Sequence, residues 1–238
     1  MAGSRRRRWA LWLVGAAAAV VVLAVGGTFF YIHVISGPTP APLGLKQTTG
    51  SGTASAAAGE SASTPVAGTW GTAAGSVVGY RVKEVLFGQN HVAVGRTSAV
   101  TGHITISGTT VTAGTFTVQM ATIKSDESER DVQFRGRIMD TSAYPTGTLT
   151  LARPVALAPE PAPGVIRTYT VTADLTLHGH TRTVTFPLSA ERASGEIEVS
   201  GSIPILFADW DIPNPSFTGF VTTQNHGVLE FLLKLARS

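Results

Sequence analysis

Between positions 169 and 188 the chain alternates apolar and polar side chains in two unbroken runs. Tyr169, Val171, Ala173, Leu175 and Leu177 fall on one side, Thr170, Thr172, Asp174 and Thr176 on the other. That is the period of two a β-strand imposes on a half-buried surface. Val184, Phe186 and Leu188 repeat the pattern against Thr183 and Thr185. His178, Gly179, His180 and Thr181 lie between the runs, and Gly179 can supply the positive φ of a tight reversal. The pattern predicts a β-hairpin.

Similar runs recur along the second two-thirds of the chain. Val78, Tyr80 and Val82 alternate with Gly79, Arg81 and Lys83. Short runs follow at 91–95 and 103–107, and Gly108-Thr109 reads as a turn. Phe116, Val118 and Met120 alternate with Thr115, Thr117 and Gln119, and Leu149 and Leu151 resume the pattern. The three prolines of 158–164 cannot donate to a ladder, so that stretch reads as a loop. Ile197, Val199 and Ile203 alternate with Glu196, Glu198 and Ser202. A last strand over 228–235 sets Leu229, Phe231, Leu233 and Leu235 on one face. About eight closely spaced antiparallel strands imply a sandwich or a closed barrel. Eight is also the count at which a barrel can just hold one small ligand.

One helix is expected, over 126–139, where Asp126 and Glu129 have capping-box spacing. Val132, Phe134, Ile138 and Met139 form no single stripe, so a turn or two laid across a barrel mouth is the expectation.

The N-terminal part is different. Arg5, Arg6, Arg7 and Arg8 precede an apolar run over 9–35, and no charge follows until Lys46. That run exceeds the ~20 residues needed to cross a bilayer. Trp9 and Trp12 near one end and Phe30 and Tyr31 near the other suit the membrane interfaces. The expectation is an uncleaved signal anchor over 9–35, since a cleaved signal peptide would have a shorter apolar core. The basic tail 1–8 would then be cytoplasmic and everything after the single span extracytoplasmic, at the cell membrane. Residues 36–66 are small and polar and read as a disordered linker, with a span of roughly 30 Å as a coil. The folded domain is expected over 67–238.

Charge and composition narrow the function. The formal charge is +3, and removing the four arginines leaves −1 for the rest, so the domain offers no phosphate-binding surface and no nucleic-acid partner is expected. With Cys 0, disulfides, thiolate catalysis and cysteine zinc sites are excluded. His178 and His180 lack a third ligand nearby and read as turn residues, so no metal is expected. Asp126, Glu127, Glu129 and Asp131 crowd around Arg130, as acidic groups at a helix start do, and Arg130 reads as an ion-pair residue. There is no G-x-S-x-G turn and no Gly-rich phosphate loop. Neither an enzyme nor a cofactor is expected.

Four stretches together resemble the YceI-like family of lipocalin-like proteins associated with polyisoprenoid binding. They are V-V-G-Y-R-V-K-E-V-L-F over 77–87; Glu129-Arg130-Asp131 leading to Tyr144-Pro145-Thr146; L-T-L-H-G-H-T-R-T-V-T over 175–185; and I-L-F-A-D-W-D-I over 205–212. The third is close to the family's Leu-Thr-x-His-Gly-x-Thr-x-x-Val pattern. In the fourth, Phe207 stands where the family usually has an arginine, Trp210 holds the aromatic position and Asp211 replaces a glycine. The resemblance implies a mainly β protein: an antiparallel, eight-stranded, lipocalin-like barrel with one short helix, holding an isoprenoid or similar long-chain lipid in an apolar cavity. The expected lining is Tyr80, Val82, Phe116, Val118, Phe134, Met139, Tyr169, Val171, Ala173, Phe186, Phe207 and Trp210. The alternative is a filled barrel, a scaffold that presents 205–222, with Trp210, Pro213, Pro215, Phe217 and Phe220, to a protein partner.

Overall fold

A computed structural model of the chain describes residue 20 and residues 39–45, 65–86, 88–160, 162–193, 195–216 and 221–238. Apart from Val20, the expected anchor lies outside the described residues, and among those described no helix is long and apolar enough to cross a membrane. Most of the expected linker is also outside them, but 39–45 are not.

Twelve strands follow in chain order: β1 (Gly68–Thr72), β2 (Val77–Leu86), β3 (Gln89–Thr97), β4 (Val100–Ser107), β5 (Thr110–Gln119), β6 (Thr146–Leu151), β7 (Val155–Ala156), β8 (Arg167–Leu177), β9 (His180–Ala193), β10 (Glu196–Leu206), β11 (Val221–Thr223) and β12 (His226–Arg237). All pairings are antiparallel. The circuit β1–β4–β5–β6–β8–β9–β10–β12 closes when β12 returns to β1, making an eight-stranded barrel. Seven of its eight strands are expected from the alternation; β1, which carries no alternating signal, is not, and β2 and β3 lie off the circuit. β10 occupies one edge of β12, so β2 and β1 share the other, pairing with its 228–232 and 235–237 segments. β3 and β4 follow each other in the same way beyond them.

The organising hairpin runs in unbroken register from Arg167↔Ala190 to Leu177↔His180. Its loop is the two residues His178 (φ 47) and Gly179 (φ 77). Both are left-handed, as the type I′ turn that matches strand twist requires. His180 therefore begins β9 rather than belonging to the turn. Val171, Ala173, Leu175 and Leu177 point into the core and are buried. The threonines face out and pair across the strands, Thr172 with Thr185 at 3.1 Å and Thr176 with Thr181 at 2.8 Å.

The helix is shorter than the sequence suggests. α1 (Ser128–Gln133) gives way to a π turn over Phe134–Ile138. Asp126 does not cap it; its carboxylate instead pairs with Arg130 one turn on. Asp131 is buried and accepts hydrogen bonds from the Ser125 amide and hydroxyl, both at 2.8 Å. Phe134 at the start of the wider turn and Met139 just after it are buried, while Val132 of α1 is exposed.

Candidate functional site

The barrel is not filled. A cavity of about 240 Å³ runs through it, far above the roughly 15 Å³ that one water needs by the same measure. Its walls are the inward positions of the strands, including Val171, Ala173, Leu175 and Leu177 of β8, Phe116 and Val118 of β5, and Leu229, Phe231 and Leu233 of β12. Phe186 and Phe231 meet edge to face across the wall, with centroids 6.1 Å apart. Gly201 lies opposite Phe231, and a Cβ there would come within 2.6 Å of the ring, so the glycine makes room for the phenyl group.

Almost every lining group is apolar. Thr148, Tyr169, Glu191 and Arg192 are among the few polar residues, and the last three lie where β8 and β9 approach the β9–β10 turn. The Tyr169 hydroxyl is buried without a hydrogen-bond partner among the described residues, and burial pushes its pKa up. The residue lines the cavity, but its hydroxyl is enclosed by the wall, and leaving it unpaired there carries a cost.

Six of the twelve residues expected to line a cavity do so: Phe116, Val118, Tyr169, Val171, Ala173 and Phe186. Tyr80, Val82, Phe134, Met139, Phe207 and Trp210 are not among its walls. They pack together beyond Met120, Ile123 and Leu177 and form an apolar plug at the helix end. The Phe134 ring stacks on Tyr80 at 5.2 Å and 13°. Val82 and Phe207 both crowd Gly227. Trp210 is 2% exposed, and its indole N–H donates to the Leu175 carbonyl at 3.1 Å. The short helix and its π turn thus lay Phe134 and Met139 onto this plug, in keeping with the expected turn or two of helix. Alternation identifies which side of a strand faces inward but not how far along the axis a residue lies. Four of the six plug residues are not on strands at all. The sequence reading also missed lining residues. Ile106, Val111, Leu151 and Ile197 could have been found from the same alternation, whereas Val66 and Leu157 sit outside regular strands and carried no signal.

A charged cluster lies beside the plug. Glu84 is 2.9 Å from His91 Nδ1, and Arg130 Nη2 donates to it at 3.2 Å. Burial pushes the Glu84 carboxyl up, but His91 and Arg130 outweigh it and hold the group below the ordinary glutamate range. Burial likewise opposes the Arg130 charge, and Glu84 and Asp126 overcome it. Tyr80 is raised to about 12, chiefly by burial. These groups are tied to one another in ion pairs, which is the arrangement of a structural clasp. Among the described residues no cluster of three or more His, Asp or Glu side chains has the geometry to hold a metal ion.

The YceI-like domain model matches residues 72–234, more than half of the chain. The chain belongs to the YceI-like family. No curated protein matches it. Among solved structures it is similar to a polyisoprenoid binding domain from Saccharophagus degradans implicated in plant cell wall breakdown, at TM-score 0.60 and 19% identity over 72% of this chain and 99% of that one. It is also similar to BcnA of Burkholderia cenocepacia, at TM-score 0.51 and 19% identity over 65% of this chain and 95% of that one. At such identities the likeness is one of fold. Two of this YceI-like chain's departures from the family pattern have a clear setting in the fold. Phe207 is 7% exposed in the plug, where it adds apolar packing and no charge. Asp211 has φ 52, a conformation glycine takes freely and aspartate tolerates better than most side chains.

Proposed function

We propose that this chain is a membrane-anchored, extracytoplasmic protein that holds an isoprenoid or similar long-chain lipid in its barrel, and that it binds rather than transforms that lipid. The single observation behind this reading is the unfilled apolar cavity of about 240 Å³. A hydrocarbon entering it gains about 0.8 kcal/mol for each buried CH₂. Such a chain asks for few polar contacts, and the walls offer few. Tyr169, Glu191 and Arg192 are polar lining residues toward the β9–β10 turn, the end at which a lipid's polar head would lie. The anchor over 9–35 and its orientation rest on the apolar run and on the arginines before it.

The filled scaffold is a weaker reading, since the barrel is hollow. Trp210, on which a protein contact through 205–222 would depend, is buried and hydrogen-bonded inside the fold. Phe217 and Phe220 lie outside the described residues.

The test is organic extraction of the chain purified from its membranes, followed by mass spectrometry of the extract. A long-chain isoprenoid in stoichiometric amount is expected, and it should be absent from a folded Val171→Asp variant. An equal yield of lipid from both proteins would overturn the cavity as the binding site.

A further inference from the structure

Glu230 and Ser200 stand on the outer face of the barrel, yet they are 4% and 6% exposed. Glu230 lies between the inward Leu229 and Phe231 and borders the cavity, but its carboxylate is turned outward to Arg81, Arg96 and the Leu43 amide; Ser200 adjoins the inward Val199. The chain itself covers them. Residues 39–45 lie across this wall. The Leu43 amide donates to Glu230 Oε2 at 3.2 Å, and the Leu45 amide donates to Ser200 Oγ at 3.3 Å. Arg81 Nη2 donates to the Pro40 carbonyl at 2.7 Å, and Arg96 Nη2 donates to the Ala41 carbonyl.

The same two guanidinium groups clamp the Glu230 carboxylate. Arg81 Nε reaches Oε2 at 3.4 Å, and Arg96 reaches Oε1 with Nη2 at 2.7 Å and Nε at 3.2 Å. Each arginine thus bridges the wall and the segment. The match follows backbone chemistry. Pro40 and Pro42 have no N–H to leave unpaired, and the carbonyls of Pro40 and Ala41 meet cations. Where amides are present, at Leu43 and Leu45, the wall supplies acceptors. Those two leucines are half-buried while Pro42 and Gly44 are exposed. A glutamate on an outward position would ordinarily be solvated; here it is enclosed with two counter-charges and a backbone donor.

We propose that residues 39–45 are a docked strap that holds the β2–β12–β10 wall of the barrel against the bilayer. This rests on the anchor reading of 9–35 given above. Only residues 36–38 separate that run from the strap, so the distance from 35 to 39 is at most about 14 Å of extended chain. Without the strap the tether would be the whole of 36–66, roughly 100 Å at full stretch. The strap therefore sets both the height of the barrel and the wall it turns toward the lipid. The partner of that wall is a lipid surface, and the cavity is kept where an apolar cargo can exchange with the membrane.

The experiment uses the full chain in lipid nanodiscs. The sequence has Cys 0, so labels go only where cysteines are introduced. Spin labels at Pro42→Cys and Ser202→Cys report whether the strap is docked, and a dye at the exposed Thr181→Cys reports height by energy transfer to acceptor lipids. The perturbation is Leu43→Pro with Leu45→Pro, which removes both strap amides and leaves every barrel residue untouched. A short, narrow 42–202 distance is expected in the parent, broadening in the variant, with transfer efficiency falling about twofold or more as the tether lengthens. A broad distance in the parent, or an unchanged height in the variant, overturns the strap. Release of the parent chain from membranes by an alkaline wash overturns the anchor and with it the tether, while the 42–202 distance still decides separately whether the segment docks.

Discussion

The Tyr144 ring lies on Gly179 so closely that a Cβ at position 179 would come within 2.6 Å of its Cε1. The same ring is 4.6 Å from the His178 imidazole, tilted by 59°. The Tyr-Pro turn before β6 and the His-Gly turn after β8 are therefore one contact, although 34 positions separate Tyr144 from His178. Gly179→Ala meets both the ring and a φ of 77°, and should cost about 1–3 kcal/mol. For a domain of this size that lowers the thermal midpoint by roughly 2–10 °C. Adding Tyr144→Ala should recover only the steric part, because the backbone strain remains. Full recovery in the double variant would mean that φ contributes nothing.

The Glu84 clasp predicts an acid limb of stability. Its folded pKa is held below the ordinary value, so its contribution is present above pH ~4.3 and is lost as pH falls through the folded pKa. Glu84→Gln should lower stability at pH 7 and make little difference near pH 3. Urea unfolding of both proteins at the two pH values checks this; an equal gap at both would remove the linkage.

Tyr80 gives the opposite limb. Its phenol titrates at about 12 in the fold and near 10 when unfolded. The folded state favours the protonated form, so this contribution is present below pH ~10 and is lost as pH rises toward the folded value. Phenolate absorbance should show Tyr80 ionising at about 12, with Tyr169 also delayed by burial, and Tyr80→Phe should remove the step near 12. Its persistence in the variant would assign the late titration to another tyrosine.

Ala173 is 1% exposed and faces the cavity. Ala173→Leu adds methyl groups to space that is already there, so stability should hold or rise by about 0.5–2 kcal/mol. Lipid recovered from the purified variant should fall severalfold. A marked drop in thermal midpoint would show instead that the walls around Ala173 are already close-packed.

Much of the wall was legible in the sequence. β8, β9, β10 and β12 have clean alternation because each turns one face to an apolar interior and the other to water. β1 escaped notice because Gly68 and Gly71 interrupt it, and its single large residue, Trp70, sets no period. The interior of 39–45 escaped for a related reason. Small and proline-rich segments bury little apolar surface, so composition marks them as solvated even when hydrogen bonds to a wall hold them in place.

The sequence by itself determined the strand faces, the antiparallel class, the reversal at Gly179 and the family, because those depend on local period, local backbone freedom and residue order. Only the tertiary structure decided which inward residues line a void and which stop one end. Phe116 and Phe207 are equally apolar, and height along the barrel axis leaves no mark in a two-residue period. Only the tertiary structure placed Arg81, Arg96 and Glu230 around one proline-rich segment, since ion pairs that join residues more than a hundred positions apart follow from closure of the sheet and not from any local pattern.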